Sequence, residues 1–324
     1  MRPDHEQPKA HRQKGTDPYA WLEQRDAADV LAYLHAENAH TDAWLVPQQA
    51  LQQQLFDEIR GRIRETDLGL PSPRGAWLYY QRTEAGAEYP RFYRCQRQAP
   101  SSLAIDESSE QLLLDLNQLA TEHQFLQLGD FSVSPDQNWL AYSLDTQGDE
   151  TYRLFQRSLT DLKTTELMLH EADGSLCWAQ DSKTLFAVSM DETSRPATLW
   201  RLQSGVAPVQ VFHEPDQRFY VGAYRSSSEQ FICISSTSKN TSEVHFLPAA
   251  EPNAEPRCLA HRENGHEYDA DHGTDGFMIR SNRLGETFCL YRCNPDTTGL
   301  ANWELVTAAD PERTLEEGSL QSTA

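Results

Sequence analysis

Trp139-Leu140-Ala141-Tyr142-Ser143 is followed along the chain by Leu185-Phe186-Ala187-Val188-Ser189, Phe231-Ile232-Cys233-Ile234-Ser235 and Phe277-Met278-Ile279-Arg280-Ser281, and the terminal serines stand 46, 46 and 46 residues apart. Each window mixes β-branched, aromatic and small residues over five positions, the composition of a packed strand, and lacks the three-and-four spacing of a helix. A second set, Leu154-Phe155, Leu199-Trp200, Val244-His245 and Cys289-Leu290, recurs at spacings of 45, 45 and 45. Turn clusters precede the windows at Ser134-Pro135-Asp136-Gln137-Asn138, Gln180-Asp181-Ser182-Lys183 and Ser226-Ser227-Ser228-Glu229, as hairpins require. A period in the mid-forties is the length of a four-stranded blade, so the repeat predicts a β-propeller; an all-β sandwich with regular strand spacing is the competing architecture. The marker serines are expected to be turn residues.

Composition narrows the partners. With 28 Lys and Arg against 49 Asp and Glu, the formal charge is -21 and no basic stripe is visible, so nucleic acid is not an expected partner. The acidity would favour cationic partners, although solubility alone accounts for it equally well. No run of about 18 apolar residues predicts a membrane span. The start, Met1-Arg2-Pro3-Asp4-His5-Glu6-Gln7-Pro8-Lys9, has no apolar core of a signal peptide, and a cytoplasmic location is the expectation. The six cysteines, Cys95, Cys177, Cys233, Cys258, Cys289 and Cys293, are scattered as structural free thiols would be in a reducing compartment.

Residues 1–16 are polar and aperiodic, an expected disordered start. Residues 17–73 read as a helical arm. Asp26 is a candidate N-cap for a helix in which Val30, Leu31, Leu34 and Asn38 share one side, and the pattern runs through Trp44 and Leu45 to Pro47. A second helix is expected from Gln48 to Glu65, with Leu51, Leu55, Phe56, Ile59 and Ile63 as its apolar stripe. From Trp77 the period becomes two, in Trp77–Arg82, Arg91–Cys95 and Gln111–Asp115, which form a first blade outside the strict register. Four blades follow, and residues 311–324 read as the start of a sixth.

The segment Asp17-Pro18-Tyr19-Ala20-Trp21-Leu22-Glu23 resembles the N-terminal signature of the prolyl oligopeptidase family of serine peptidases. Tyr33-Leu34-His35-Ala36-Glu37-Asn38, Glu58-Ile59-Arg60-Gly61-Arg62-Ile63, Glu88-Tyr89-Pro90-Arg91-Phe92 and Leu113-Leu114-Asp115-Leu116-Asn117 follow in the family's order. So do Ser132-Val133-Ser134-Pro135-Asp136 and the run from Leu140 to Tyr152. Among the branches the chain is most similar to oligopeptidase B, whose members cleave short peptides after Arg or Lys. The resemblance spans residues 17 to about 310 and implies a helical arm, a seven-bladed propeller and an α/β-hydrolase domain carrying the catalytic serine, aspartate and histidine. Residues 74–324 number 251, room for about five and a half blades at this period. The expectation is therefore a mainly β chain, an incomplete propeller of about five blades behind a helical arm, without the hydrolase domain.

The residues agree with that expectation. An α/β-hydrolase nucleophile sits in a G-x-S-x-G elbow, and that pentapeptide does not occur; Gly174-Ser175 and Ser204-Gly205 read as turns. No catalytic residue is assigned, and no cofactor is expected. His266-Glu267-Tyr268-Asp269-Ala270-Asp271-His272 offers imidazole and carboxylate groups to a metal, but its spacing favours a solvated turn, so no metal site is assigned. A glycosidase carboxylate pair is disfavoured because Asp145, Asp191 and Asn282 recur at equivalent positions, as structural turn residues would. The resemblance singles out Glu150, in Gly148-Asp149-Glu150-Thr151-Tyr152, as a substrate-gating or interdomain contact; the residues alone give an ordinary hairpin carboxylate. Short basic peptides are the implied substrates once a catalytic domain is present, and a separately encoded hydrolase half is the implied partner. A freestanding protein-binding propeller is the alternative.

Overall fold

A computed structural model describes residue 17 and residues 19–316; the expected disordered start lies outside the described residues, as do residues 317–324. The chain divides into two compact units, residues 1–67 and residues 68–324. The sequence-based boundary after residue 73 differs from this division by a short run that includes Ser72–Arg74, a strand already paired with Trp77–Tyr79.

In the first unit an 18-residue helix, Ala28–Leu45, is followed by a single 3-10 turn at Val46–Gln48 and a second helix, Gln49–Gly61. Pro47 fits that turn because it fixes φ and offers no N–H to a continuing helix. Asp26 does not cap the first helix: extended Ala27 holds that place without a side-chain bond, and the Asp29 carboxylate takes the Val30 N–H at 3.0 Å. Val30 is buried, whereas Leu31 and Leu34, expected on the same side, are exposed. Trp21 is buried with its ring edge-on to Tyr33 at 5.4 Å. The second helix ends earlier than expected, and Leu51, Leu55, Phe56, Ile59 and Ile63 all stand exposed.

The second unit is a series of antiparallel blades. The first contains Ser72–Arg74, Trp77–Thr83, Arg91–Gln96 and Gln111–Asp115. The second contains Gln127–Val133, Trp139–Asp145, Arg153–Ser158 and Thr164–Glu166, and the third Cys177–Trp178, Leu185–Met190, Pro196–Gln203 and Val206–His213. The fourth contains Tyr220–Arg225, Phe231–Thr237, Ser242–Pro248 and Arg257–Ala260, and the fifth Tyr268–Gly273, Gly276–Ser281, Cys289–Cys293 and Glu304–Thr307. The described residues hold these five blades and no sixth. Residues 311–316 turn back on the fifth instead, where Leu315 N–H donates to Thr287 O at 2.9 Å and Arg280 Nη1 to Leu315 O at 3.1 Å.

The core lies between blades, which explains why the second strands are apolar on both faces rather than alternating. Leu185 joins Ala141 and Leu154 of the second blade, whereas its neighbour Phe186 joins Val221, Ile232 and Leu247 of the fourth. Phe246 and Phe277 meet in the same way between the fourth and fifth blades, with ring centroids 4.8 Å apart.

The marker serines are strand residues, contrary to the turn expectation. Ser143, Ser189, Ser235 and Ser281 pair with Leu154, Thr198, Val244 and Cys289 of their third strands. A small hydroxyl suits these crowded positions because it bonds locally: Ser143 Oγ donates to Gly174 O at 2.6 Å, and Ser189 Oγ accepts from Trp200 Nε1 at 2.8 Å. All six cysteines are free thiols, and Cys289 and Cys293 lie on one buried side of a single strand. Among the described residues no helix is long and apolar enough to cross a membrane.

Candidate functional site

Antiparallel order brings the connections between second and third strands to the same end of the sheets as the links from each blade to the next. Glu150 lies at this end. Its loop is organised by Asp145, whose carboxylate accepts the N–H groups of Gln147 and Gly148 at 2.8 Å each and of Glu150 at 3.0 Å. Burial pushes the Asp145 carboxyl up, but these backbone bonds outweigh it and hold the group below its ordinary value. Glu150 takes a left-handed φ of 61° and its side chain is exposed. Asp145 thus builds the loop, and Glu150 is presented at its surface.

Asp191 repeats the device in the third blade. It accepts Thr193 N–H at 2.9 Å and Arg195 N–H at 3.2 Å, and its carboxyl is held at about 2, first by the Thr193 hydroxyl. Asn282 completes the series, taking Glu267 N–H at 2.9 Å and donating to Gly265 O at 3.1 Å. The expectation of structural turn residues at Asp145, Asp191 and Asn282 matches these bonds.

Arg195 adds something the repeat does not show. Its buried guanidinium donates to Asp191 Oδ2 at 2.9 Å and to the carbonyls of Phe219, Glu214 and Asp216 at 2.6, 3.1 and 3.3 Å. It thereby fixes the link between the third and fourth blades. That link places Glu214, 2% exposed, where its carboxylate accepts Ser236 Oγ at 2.6 Å and pairs with Arg262. Arg262 also pairs with Glu243 Oε1 at 3.2 Å and lies 4.0 Å over the Phe219 ring. Burial works against both carboxylates, but the Arg262 bonds prevail and keep Glu214 and Glu243 ionised below the ordinary Glu value.

Beside this network is a cavity of about 340 Å³ lined by Arg218, Phe219, Lys239, Asn240, Thr241 and Arg262, among others. Within a strongly acidic chain this concentrates cationic and amide donors at one concavity. Arg218 is paired with Asp216 and Arg262 with Glu214 and Glu243, so the lining suits a carbonyl-rich peptide group that accepts hydrogen bonds. Sequence reading missed Arg195, Glu214, Glu243 and Arg262, because none recurs at the blade period; the spacing Asp191-x-x-x-Arg195 was the only local signal.

The histidine-rich segment is placed differently from expectation. Tyr268–Gly273 is the first strand of the fifth blade, not a solvated turn, and His266 and His272 are both buried. His266 Nε2 lies 2.7 Å from Ser281 Oγ, while its Nδ1 has no partner. Burial lowers its pKa, giving a neutral imidazole beside a serine with neither an orienting carboxylate nor access for substrate, unlike a catalytic pair. His272 Nδ1 lies 2.8 Å from Ser228 Oγ, and Asp271 accepts Ser227 N–H at 2.8 Å. These groups tie neighbouring blades together rather than converging on one point.

Comparison with known proteins accords with this architecture. The family described as "Prolyl oligopeptidase, N-terminal beta-propeller domain" matches residues 1–323. Dipeptidyl aminopeptidase BI of Pseudoxanthomonas mexicana is 36% identical over 313 residues, covering 91% of this chain and 43% of that protein. Protease 2 of Moraxella lacunata is 30% identical over 309 residues, covering 93% and 44%. Oligopeptidase B from Leishmania major superposes with a TM-score of 0.83 at 25% identity, over 91% of this chain and 42% of that one. The chain thus spans less than half the length of these relatives. With its blades, their order and its sequence all in agreement, the chain belongs to the prolyl oligopeptidase family of serine peptidases and corresponds to the N-terminal propeller portion of an oligopeptidase B-like protein.

Proposed function

We propose that the chain is the substrate-gating portion of an oligopeptidase B-like endopeptidase acting on short peptides after Arg or Lys, and that these residues alone do not hydrolyse peptides. The observation that carries this reading is the superposition of 91% of the chain on 42% of an oligopeptidase B. In this reading a hydrolase domain, in the same polypeptide or separately encoded, supplies the nucleophile. The end bearing Glu150 and the Arg262 cavity faces it. Glu150 suits an interdomain contact because its carboxylate is exposed on a loop whose backbone is fixed by Asp145. A cytoplasmic location accords with six free thiols.

The test is complementation. The purified chain is assayed on an arginyl-amide substrate alone and after mixing with the hydrolase half of a relative, with Glu150→Gln in parallel. The expected result is no turnover alone, turnover on mixing, and weaker complementation by the variant. Turnover by the chain alone, surviving removal of contaminating peptidases, would overturn the reading. Binding of an unrelated protein without any complementation would favour a freestanding propeller module.

A further inference from the structure

We propose that Glu243, His245 and Cys258 form a Zn²⁺ site on the two outer strands of the fourth blade. Glu243 and His245 alternate on the third strand and so share a face, and Cys258 on the fourth strand is the direct cross-strand partner of His245. One ligand atom from each lies within 4.8 Å of the other two. Tetrahedral zinc bonds of about 2.0–2.3 Å set ligand atoms about 3.3–3.8 Å apart. The site therefore needs a closure of about 1 Å, which side-chain rotation supplies.

Two further observations point to a cation. His245 Nδ1 is buried without a hydrogen-bond partner, although its ring is held 4.9 Å from that of Phe212. An orphaned buried imidazole nitrogen calls for a partner. The second observation is charge. Glu214 and Glu243 share the single guanidinium of Arg262, leaving one negative charge. Binding Zn²⁺ with loss of the Cys258 thiol proton adds two positive charges and one negative, which brings the cluster to neutrality. Arg262 donates to both Glu243 oxygens, through its backbone N–H at 2.9 Å and its guanidinium at 3.2 Å, and each oxygen keeps a further lone pair for the metal.

The donor set selects the ion. Thiolate and imidazole favour Zn²⁺ over Mg²⁺ or Ca²⁺, which prefer all-oxygen shells. Three protein ligands leave a fourth position for water. Bound there, zinc would pin the outer strands of the fourth blade next to the link that carries Arg262.

The experiment uses the full chain, stripped with a chelator and kept reduced. Zn²⁺ is titrated against a chromophoric competitor, and Co²⁺ is used as an absorbing substitute. One Zn²⁺ per chain is expected, with a thiolate-to-cobalt charge-transfer band and a higher melting temperature in the presence of Zn²⁺. Cys258→Ser should abolish the band and weaken Zn²⁺ binding by about 100-fold or more. His245→Gln should also weaken binding, and Cys177→Ala should leave both signals intact. Circular dichroism checks that each variant folds. Absence of stoichiometric Zn²⁺ binding by the parent chain, or a thiolate band retained in Cys258→Ser, overturns the proposal.

Discussion

Trp178 donates its indole N–H to the carbonyl of Ser132 at 3.0 Å, and the two residues are 46 positions apart. The sequence period is here a physical contact between equivalent strands of the second and third blades. The same register continues to Tyr224 and Ala270, where the phenol of Tyr224 donates forward to Ala270 O at 2.5 Å. Trp178→Phe keeps most of the apolar surface but takes the indole donor from a partly buried carbonyl, a loss of about 1 kcal/mol. Urea unfolding should show a lower midpoint with an unchanged slope; an unchanged midpoint would mean that this bond contributes nothing.

Arg195 is the clamp between the third and fourth blades. Lysine cannot reproduce a planar fork that meets one carboxylate and three carbonyls, so Arg195→Lys should cost about 3 kcal/mol. The same urea measurement decides it, and a variant as stable as the parent would remove Arg195 from this role.

Gly174 occupies φ 94°, and a Cβ there would lie 2.9 Å from the Tyr152 ring. Gly174→Ala therefore combines backbone strain with a clash and should cost about 1–3 kcal/mol. Adding Tyr152→Leu should restore part of the loss by removing the clash, while the backbone part persists. Full restoration would assign the whole effect to packing.

Asp173 makes stability depend on pH. Burial raises its pKa, and nearby Asp130 adds to the shift. A carboxyl whose folded value exceeds its unfolded value, about 3.9, contributes stability that is complete below that value and lost as pH rises through the folded one. Asp173→Asn keeps the acceptor that takes Ser175 N–H at 2.9 Å and Ser175 Oγ at 2.6 Å. The variant should melt above the parent near pH 8 and show no gain below about pH 4. A gain confined to low pH would reverse the sign of this account.

The stripe on Gln49–Gly61 is exposed rather than part of a core. Leu55→Glu with Ile59→Glu should change stability by only about 0.5 kcal/mol. It should, however, lower the binding of a dye sensitive to apolar surface. A large loss of stability would show that the stripe is buried in solution.

The blades were legible because each second strand is packed on both faces and so repeats as an apolar run ending in a small residue, as in Leu185–Ser189. The position of those serines was misread, since a serine after an apolar run is equally compatible with a turn. The arm's helices were legible from Pro47 and the apolar spacing, but Asp26 was not a cap, because capping depends on where the first helical bond forms. Glu150 lies on a loop as expected, and the recurrence of Asp145 with Asp191 marked it as a turn residue, but only the structure shows that its carboxylate takes three backbone N–H groups of that loop.

Sequence alone determined the blade period and the apolar strands that mark it, because doubly packed strands and turn chemistry repeat with every blade. Only the tertiary structure decided what meets between blades. Arg195, Glu214, Glu243 and Arg262 come from four separate segments that share no period, and His245 faces Cys258 solely through strand pairing. Convergence of that kind depends on register and blade stacking, which bring distant residues together without leaving a pattern along the chain.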